Sequence, residues 1–426
     1  MGVACGRSGR GRPYAGGMAT SAATVQRRVA QLCRDGAASS DSRELRAAVL
    51  AELRQTIAFD AYAWLLTDPE TKVGTAPLAE VPDLAALPRL IRLKYTTTLN
   101  RWTALPRGRC ATLAAATGGD LSSSPLWRNL LAGYGVTDVA SVVFADQFGC
   151  WGFLDLWRCG GPEPRFTRVE QALLGSLTPT LTAALRGAQA ATFAEPPAPV
   201  SALDAPVVLL LSGSLELLDQ TPRTDAHLRL LLPTSPGAAP VPAAAFNVAA
   251  QLLAVEAGVD DGPPTARAQL AGPEWISLRA ARLAGPGQSG SLVQRDRSGP
   301  AESADGAGQR SGAGQRDGAG QPGDAGQLRD AGQPDGGRIA VTVEPVALVG
   351  RIELYGRACG LTGRERELLH RLARGSDTRL LAREMRLSPH TVQDHLKSVF
   401  AKTDCGSRGV LLARALGTGA GQAEPG

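Results

Sequence analysis

Polar side chains that could read nucleic-acid bases lie together near the C-terminal end of the chain. Lys397 follows Asp394 by three residues and Gln393 by four, which places the three side chains on one face of a helix. A Gln can pair with adenine, a Lys with guanine, and an Asp accepts a hydrogen bond from the cytosine amino group. Such a face fits the edges of base pairs in the major groove of DNA.

Four short helices are predicted around this face. Thr362 and Glu365 form a capping box at the start of the first helix, and Gly375 follows its end. Asp377 caps the second helix and Ser388 caps the third. The apolar residues of the third helix recur at helical spacing and should be buried: Val392, Leu396, Val399 and Phe400. A fourth helix is predicted over residues 407–416.

The order of these motifs resembles the LuxR-type helix-turn-helix family. The residues that carry the resemblance are Leu361-Thr362-Gly363-Arg364-Glu365-Arg366-Glu367, Gly375, Leu381-Ala382, Ser388-Pro389-His390-Thr391-Val392-Gln393-Asp394-His395, Lys402-Thr403 and Arg408. The resemblance implies an all-α four-helix module over residues 360–417, whose third helix enters the major groove. Two departures concern base preference, because Gln393 stands where the family usually has Lys and Asp394 brings a negative charge to the DNA.

The resemblance and the local chemistry together assign the residues of this module to roles. The expected DNA contacts are Ser388, His390, Thr391, Gln393, Asp394, Lys397, Lys402, Arg408 and Arg379. Double-stranded DNA is therefore the expected partner, with RNA polymerase considered as a further one. We expect a homodimer on DNA and assign Val410, Leu411 and Ala415 of the fourth helix to the partner surface. A helical bundle that binds protein is the alternative interpretation.

Composition and motifs exclude several other classes. The net charge of +5 is too small for a histone-like polycation, and seven scattered Cys without a Cys-x-x-Cys pair fit a reducing cytosol. No apolar run is long enough to span a membrane, so we expect a cytoplasmic protein without membrane contact. No phosphate-binding loop, nucleophile elbow or zinc-protease motif is present, so we expect no enzyme, no cofactor and no metal site.

Residues 19–193 are predicted to form an α/β sensor domain. A strand pair, Val139–Ala145 and Trp151–Trp157, is joined by a four-residue turn, and a helix with a capping box follows over Thr167–Ala191. The element order resembles that of a GAF domain. The aromatic residues Tyr62, Trp64, Trp102 and Trp127 have two interpretations, an aromatic-lined pocket for an unknown small ligand or the large residues of an ordinary core.

A second, α+β domain over residues 203–345 resembles a PAS domain in element order. Its longer helix, Pro242–Ala257, carries Asn247 and Gln251 four residues apart, which could reach one ligand or bond each other or water. Residues 285–337 repeat Gly, Ala, Gln and Asp with almost no large apolar side chain, so they are predicted to be a disordered insertion. The remaining segments are a disordered tail (1–18), a Pro-rich linker (194–202), a connecting helix (346–359) and a second tail (418–426), with translation starting at Met1 or Met18.

The sequence therefore predicts a multidomain transcription regulator: an α/β GAF-like domain, an α+β PAS-like domain and an all-α LuxR-type helix-turn-helix. Its sensor domains are expected to modulate DNA binding. Two alternatives stay open at this point. The sensor-like domains could bind protein partners without a ligand, or the chain could be an enzyme with an attached DNA-binding module.

Overall fold

The computed structural model describes residues 22–36, 41–160, 164–194, 206–231, 242–270, 274–283 and 337–418. The predicted tails and the predicted insertion lie outside these residues, apart from Gly337 and Thr418 at their edges. Most of the Pro-rich linker predicted over 194–202 also lies outside them.

An antiparallel five-stranded sheet forms the first domain. Its elements are α1 (Ala22–Asp35), α2 (Ser42–Arg54), β1 (Ala61–Thr67), β2 (Gly74–Glu80), α3 (Leu87–Thr96), β3 (Cys110–Thr112), α4 (Leu113–Ala116), α5 (Pro125–Asn129), β4 (Val136–Ala145), β5 (Cys150–Cys159) and α6 (Arg168–Ala191). The strand order is β2-β1-β5-β4-β3. Helices α1, α2 and α6 cover one face of the sheet, whereas α3 packs with the residues of the other face.

The predicted hairpin and the predicted capped helix of this domain are confirmed. β4 and β5 pair around the turn at residues 146–149, and Thr167 with Glu170 closes the capping box of α6. The α/β class was wrong, because every strand pair in the described part of the sheet is antiparallel. Short turns such as that between β4 and β5 join only antiparallel strands. The sequence also gave no signal for β2, an edge strand that contains Pro77.

The second domain repeats the strand order of the first. Its elements are β6 (Val207–Leu211), β7 (Leu217–Gln220), α7 (Thr224–Leu231), α8 (Ala243–Glu256), β8 (Thr265–Gln269), β9 (Trp275–Arg282) and β10 (Ile339–Pro345). The sheet is antiparallel with the order β7-β6-β10-β9-β8. β9 and β10 are direct neighbours, and Leu283 N–H donates to the Arg338 carbonyl at 2.8 Å. The end of β9 and the start of β10, which flank residues 284–336 in the sequence, therefore lie side by side at one end of this strand pair.

Helix α8 joins the two sheet domains into one structure. Its residues from Ala243 to Gln251 are all buried, because the helix packs on β8, β9 and β10 on one side and on α3 and β2 of the first domain on the other. An apolar helix without a polar stripe is typical of such a doubly covered position. The two sheet domains, predicted as separate units, thus share a hydrophobic core.

Five helices follow β10 in the described part of the chain: α9 (Leu348–Ala358), α10 (Gly363–Ala373), α11 (Thr378–Met385), α12 (Pro389–Thr403) and α13 (Arg408–Leu416). The four helices predicted from residue 362 onward are confirmed. The helix predicted over 346–359 also forms, but it packs within this module. Ile352, Leu354 and Tyr355 of α9 are buried in the same core as the apolar residues of α10 and α13.

Candidate DNA-binding surface

The turn between α11 and α12 sets the direction of the third helix of the module. Arg386 ends α11 in the left-handed region, with φ 55°, and the Leu387 N–H donates to the Ala382 carbonyl at 2.9 Å. Ser388 then caps α12 by accepting the Thr391 N–H at 3.1 Å. The capping bond satisfies one of the free N–H groups of the helix N-terminus and fixes where α12 begins.

The buried face of α12 follows the predicted apolar spacing. Val392, Leu396 and Val399 are buried, and Phe400 is half-buried. Ala382 of α11 is buried beside them, and its small side chain lets the two helices approach closely. The buried face leaves the opposite side of α12 facing outward.

That outward side carries the polar residues predicted to read bases. Gln393 is exposed, and the side chains of Asp394, Lys397 and His390 are 56%, 75% and 85% exposed. Lys397 Nζ lies 3.7 Å from Asp394 Oδ1, and His390 Nε2 lies 3.6 Å from Asp394 Oδ2. Asp394 therefore sits between two groups that can carry positive charge, which offsets its repulsion of DNA phosphates.

Glu365 connects α10 to α12 through its side chain. Its carboxylate, 4% exposed, accepts hydrogen bonds from Lys402 Nζ at 2.7 and 2.8 Å and from the Ser398 hydroxyl at 2.7 Å. The Thr362 N–H adds a further bond at 2.7 Å. Burial raises the pKa of Glu365, but these hydrogen bonds outweigh that effect and hold the pKa at about 2. The sequence identified Glu365 only as a capping residue, because no local pattern reveals a contact with residues more than thirty positions away.

Lys402 and Arg408 have partners inside the protein. Lys402 binds Glu365, and Arg408 Nη2 donates to the Ser376 carbonyl at 2.9 Å. Arg379 is exposed on α11. The structure thus leaves Arg379 available for a phosphate contact. The phosphate contacts of Lys402 and Arg408 stay predictions, and each would need a side chain that already binds a partner inside the protein.

The surface predicted for dimerisation needs correction. Leu411 and Ala415 are fully buried in the core of the module, and Val410 is 38% exposed. The physical reason is that α9 adds a further helix to the module, so α13 has a larger core to complete than four helices would give it. Of the three residues assigned to the partner surface, only Val410 faces outward.

The four aromatic residues assigned to a ligand pocket do not share one. Trp64 stacks on Phe144 at 5.2 Å on the sheet face that α1, α2 and α6 cover. Trp102 stacks on Phe153 at 6.0 Å on the other face. Tyr62 packs edge-on against Phe59, and Trp127 donates to the Val136 carbonyl in a third cluster. Tyr62 and Trp64 share one face of β1, whereas Trp102 and Trp127 belong to two other clusters, so the described residues do not bring the four rings together.

One aromatic side chain connects all three parts of the chain. Phe193, just after α6, stacks on Trp275 of β9 at 5.5 Å and meets Tyr355 of α9 edge-on at 5.4 Å. The Arg351 guanidinium lies 4.9 Å from the centre of the Phe193 ring. A shift of either sheet domain at Phe193 would therefore change the packing around α9, which belongs to the helical module.

Charged side chains form a second link between the three parts. Arg267 of β8 binds the buried Asp68 of the first domain at 2.7 Å and Glu70 at 2.8 Å. Arg357 of α9 lies 3.7 Å from Glu70 and donates to the Phe148 carbonyl at 3.0 Å. The loop after β1 thus contacts the second domain and the helical module together. No sequence signal marked these residues, which lie about two hundred and three hundred positions apart.

Comparisons with known proteins match the C-terminal module. The family model described as bacterial regulatory proteins of the luxR family matches residues 360–415. The chain is also similar to the Monoamine regulon transcriptional regulator of Klebsiella aerogenes, with 39% identity over 54 residues. That stretch is 13% of this chain and spans about a quarter (24%) of the relative. No solved structure matches the chain. Among the described helices, none is long and apolar enough to cross a membrane.

Proposed function

Because residues 360–415 are a LuxR-family DNA-binding domain, we propose that the whole chain is a cytoplasmic, sequence-specific transcription regulator and not an enzyme. The observation that carries the proposal is the exposed face of α12, where Gln393, Asp394 and Lys397 project from a helix fixed on its other side. A rigid helix with polar residues on its free face suits direct reading of base edges.

We further propose that the two sheet domains modulate this binding. The resemblance of the two domains to GAF and PAS sensors in element order supports this role, as does their common strand order. Their direct contacts with α9, through Phe193 and through Glu70 with Arg357, give a physical route to the DNA-binding module. A small ligand that altered the packing of either domain would shift the placement of the module by its differential affinity for the two arrangements.

The active form in this proposal is a homodimer on DNA, with RNA polymerase as a further partner. A single helix-turn-helix reads few base pairs, so useful specificity needs paired half-sites. Val410 is the exposed residue of the terminal helix that we assign to the contact between copies.

Selection of bound sequences from a random DNA pool by the full chain tests the proposal. We expect enrichment of a motif with two half-sites, bound by two chains in analytical ultracentrifugation. Val410→Glu should keep the fold and weaken the two-chain complex, whereas Leu411→Glu should unfold the module, as circular dichroism would show. Recovery of random sequence without any enriched motif would contradict a sequence-specific role.

A further inference from the structure

Two residues of α9 contact the two ends of α13. At the C-terminal end, Arg351 Nη2 donates to the Arg414 carbonyl at 3.4 Å, and the same guanidinium packs on Gly417. A Cβ added at Gly417 would lie only 2.7 Å from Arg351 Nε. At the other end, the Tyr355 hydroxyl lies 3.6 Å from the Sγ of Cys405, in the turn before α13. The position of α13 therefore depends on α9 at both ends.

Both of these α9 residues also contact one ring outside the helical module. The guanidinium carbon of Arg351 lies 4.9 Å from the centre of the Phe193 ring, and Tyr355 meets that ring edge-on at 5.4 Å. Phe193 is 1% exposed and stacks on Trp275 of the second domain at 5.5 Å. The ring that connects the two sheet domains thus lies against the two side chains that hold α13.

Arg351 lies between two groups that attract a cation. It is 7% exposed, and the face of the Phe193 ring carries partial negative charge. The last carbonyl groups of a helix lack partners within the helix and give that end partial negative charge, and α13 ends at Leu416. Gly417 adopts a left-handed conformation, with φ 72°, and a side chain there would displace the guanidinium. The contact of Arg351 with α13 therefore requires glycine at position 417.

We propose that Arg351 is a positioning residue that fixes the direction of α13 relative to the sheet domains and so sets the half-site spacing that a dimer accepts. α13 carries Val410, the residue assigned to the contact between copies, so its direction determines how two recognition helices are placed on DNA. A guanidinium held between the Phe193 ring and the end of α13 favours the one placement in which both contacts are made. The proposal rests on the proposed function, in which two copies bind paired half-sites.

A positioning residue differs in its effect on DNA binding from a residue that only stabilises the module. Lower stability reduces the folded fraction and weakens binding to every operator by the same factor. Loss of a positioning residue instead reduces the penalty for a changed spacing, because a loosely held α13 can turn to meet a displaced half-site. One base pair inserted between the half-sites turns one of them by about 35° around the DNA axis. The ratio of affinities for the two operators therefore separates the two roles.

Equilibrium binding of the full chain to the selected operator and to its one-base-pair insertion tests the proposal. In the wild type the insertion should weaken binding by at least about tenfold, since the second half-site is then out of place. In Arg351→Met this ratio should shrink by at least about threefold, the effect of one cation–π contact on an equilibrium constant. Arg351→Lys keeps the charge and should keep most of the ratio.

Arg366→Met is the matched control. Arg366 also binds α9, through Glu353 at 3.1 Å, but this contact lies within the helical module. Its ratio of affinities should stay at the wild-type value.

An unchanged ratio in Arg351→Met, or an equal change in Arg366→Met, would overturn the proposal. If Arg351→Met fails to fold by circular dichroism, Phe193→Leu makes the same test, because it removes the aromatic face and leaves Arg351 in place. A wild type that binds both operators equally keeps sequence-specific binding and overturns this proposal alone. A wild type that selects no motif with two half-sites contradicts the proposed dimer on DNA, and the role of Arg351 falls with it.

Discussion

The guanidinium of Arg267 binds the carboxylate of Asp68 through two parallel hydrogen bonds, Nε to Oδ2 at 2.7 Å and Nη2 to Oδ1 at 2.8 Å. The Arg267 backbone N–H adds a third bond to Oδ2 at 2.8 Å. Asp68 is 1% exposed and belongs to the first domain, whereas Arg267 belongs to the second. This pair fixes the angle between the domains, because bidentate bonds to a buried carboxylate permit little rotation.

Arg267→Leu should destabilise the protein by about 3 kcal/mol, because it leaves the Asp68 carboxylate buried without its main partner. Thermal unfolding of the full chain measures the effect. Asp68→Asn in the same chain removes the unpaired charge and should restore part of the loss. Arg364→Ala, which breaks an exposed pair with Glu367, should change stability by less than about 0.5 kcal/mol. Equal effects of the Arg267 and Arg364 substitutions would show that the interdomain pair contributes no more than a surface pair.

Glu365→Gln should reduce the stability of the helical module by about 2 kcal/mol, because the buried site loses a charge-assisted pairing with Lys402. Hydrogen exchange of the α12 amides gives this free energy directly. The pKa of Glu365 is depressed in the folded protein, so its contribution is complete above pH 4.5 and is lost as the pH falls toward about 2.

The difference in unfolding free energy between wild type and Glu365→Gln should therefore shrink as the pH falls from 4.5 toward about 2. Glu367→Gln is the control, because Glu367 is about a third exposed and contacts only Arg364 and Arg371 of its own helix among the described residues. If this difference in unfolding free energy stays constant down to pH 2, the ionised carboxylate of Glu365 is not the source of the stabilisation.

The second sheet domain should not be stable when separated from the first. In the segment 206–345 the face of α8 that packs on α3 and β2 would be exposed to water, and α8 as a whole consists mostly of Ala, Val and Leu. We expect that segment to aggregate in size-exclusion chromatography and the segment 22–345 to elute as a single species. A folded, monomeric 206–345 segment would contradict the shared core.

Replacing residues 284–336 by Asn-Gly should leave the fold intact. Arg282 pairs with Ile339 and Leu283 bonds to Arg338, so Asn-Gly together with Gly337 forms a three-residue turn that can close the hairpin. The melting temperature of the full chain should change by less than about 2 °C, which corresponds to roughly 1 kcal/mol in a protein of this size. A fall of about 10 °C would mean that residues 284–336 pack against the folded part.

Local patterns predicted most of the secondary structure, whereas contacts distant in sequence could not be predicted. The capping residues Thr167, Thr362 and Ser388 and the turn at residues 146–149 act on their own neighbours, so their sequence signals were sufficient. The buried positions of α12 followed from helical spacing in the same way.

The links between domains depend on contacts that no local pattern reveals. Phe193 and Arg267 look like ordinary helix-end and strand residues until the three parts of the chain are assembled. The burial of Leu411 was missed for the same reason, because it depends on α9 packing into the module. Only α8 carried a usable signal, since a helix without a polar stripe requires a partner on every side.

The claim that the exposed face of α12 reads DNA sequence is tested most directly by equilibrium binding of Lys397→Ala. The full chain and the variant are titrated against a selected operator, its single-base variants and random DNA. We predict that Lys397→Ala loses about 1–3 kcal/mol of discrimination at one base pair of each half-site. Arg379→Ala should instead weaken all sequences alike and reduce the salt slope by about one. Equal losses for Lys397→Ala on operator and random DNA would contradict base reading by this face and leave Lys397 as a phosphate contact.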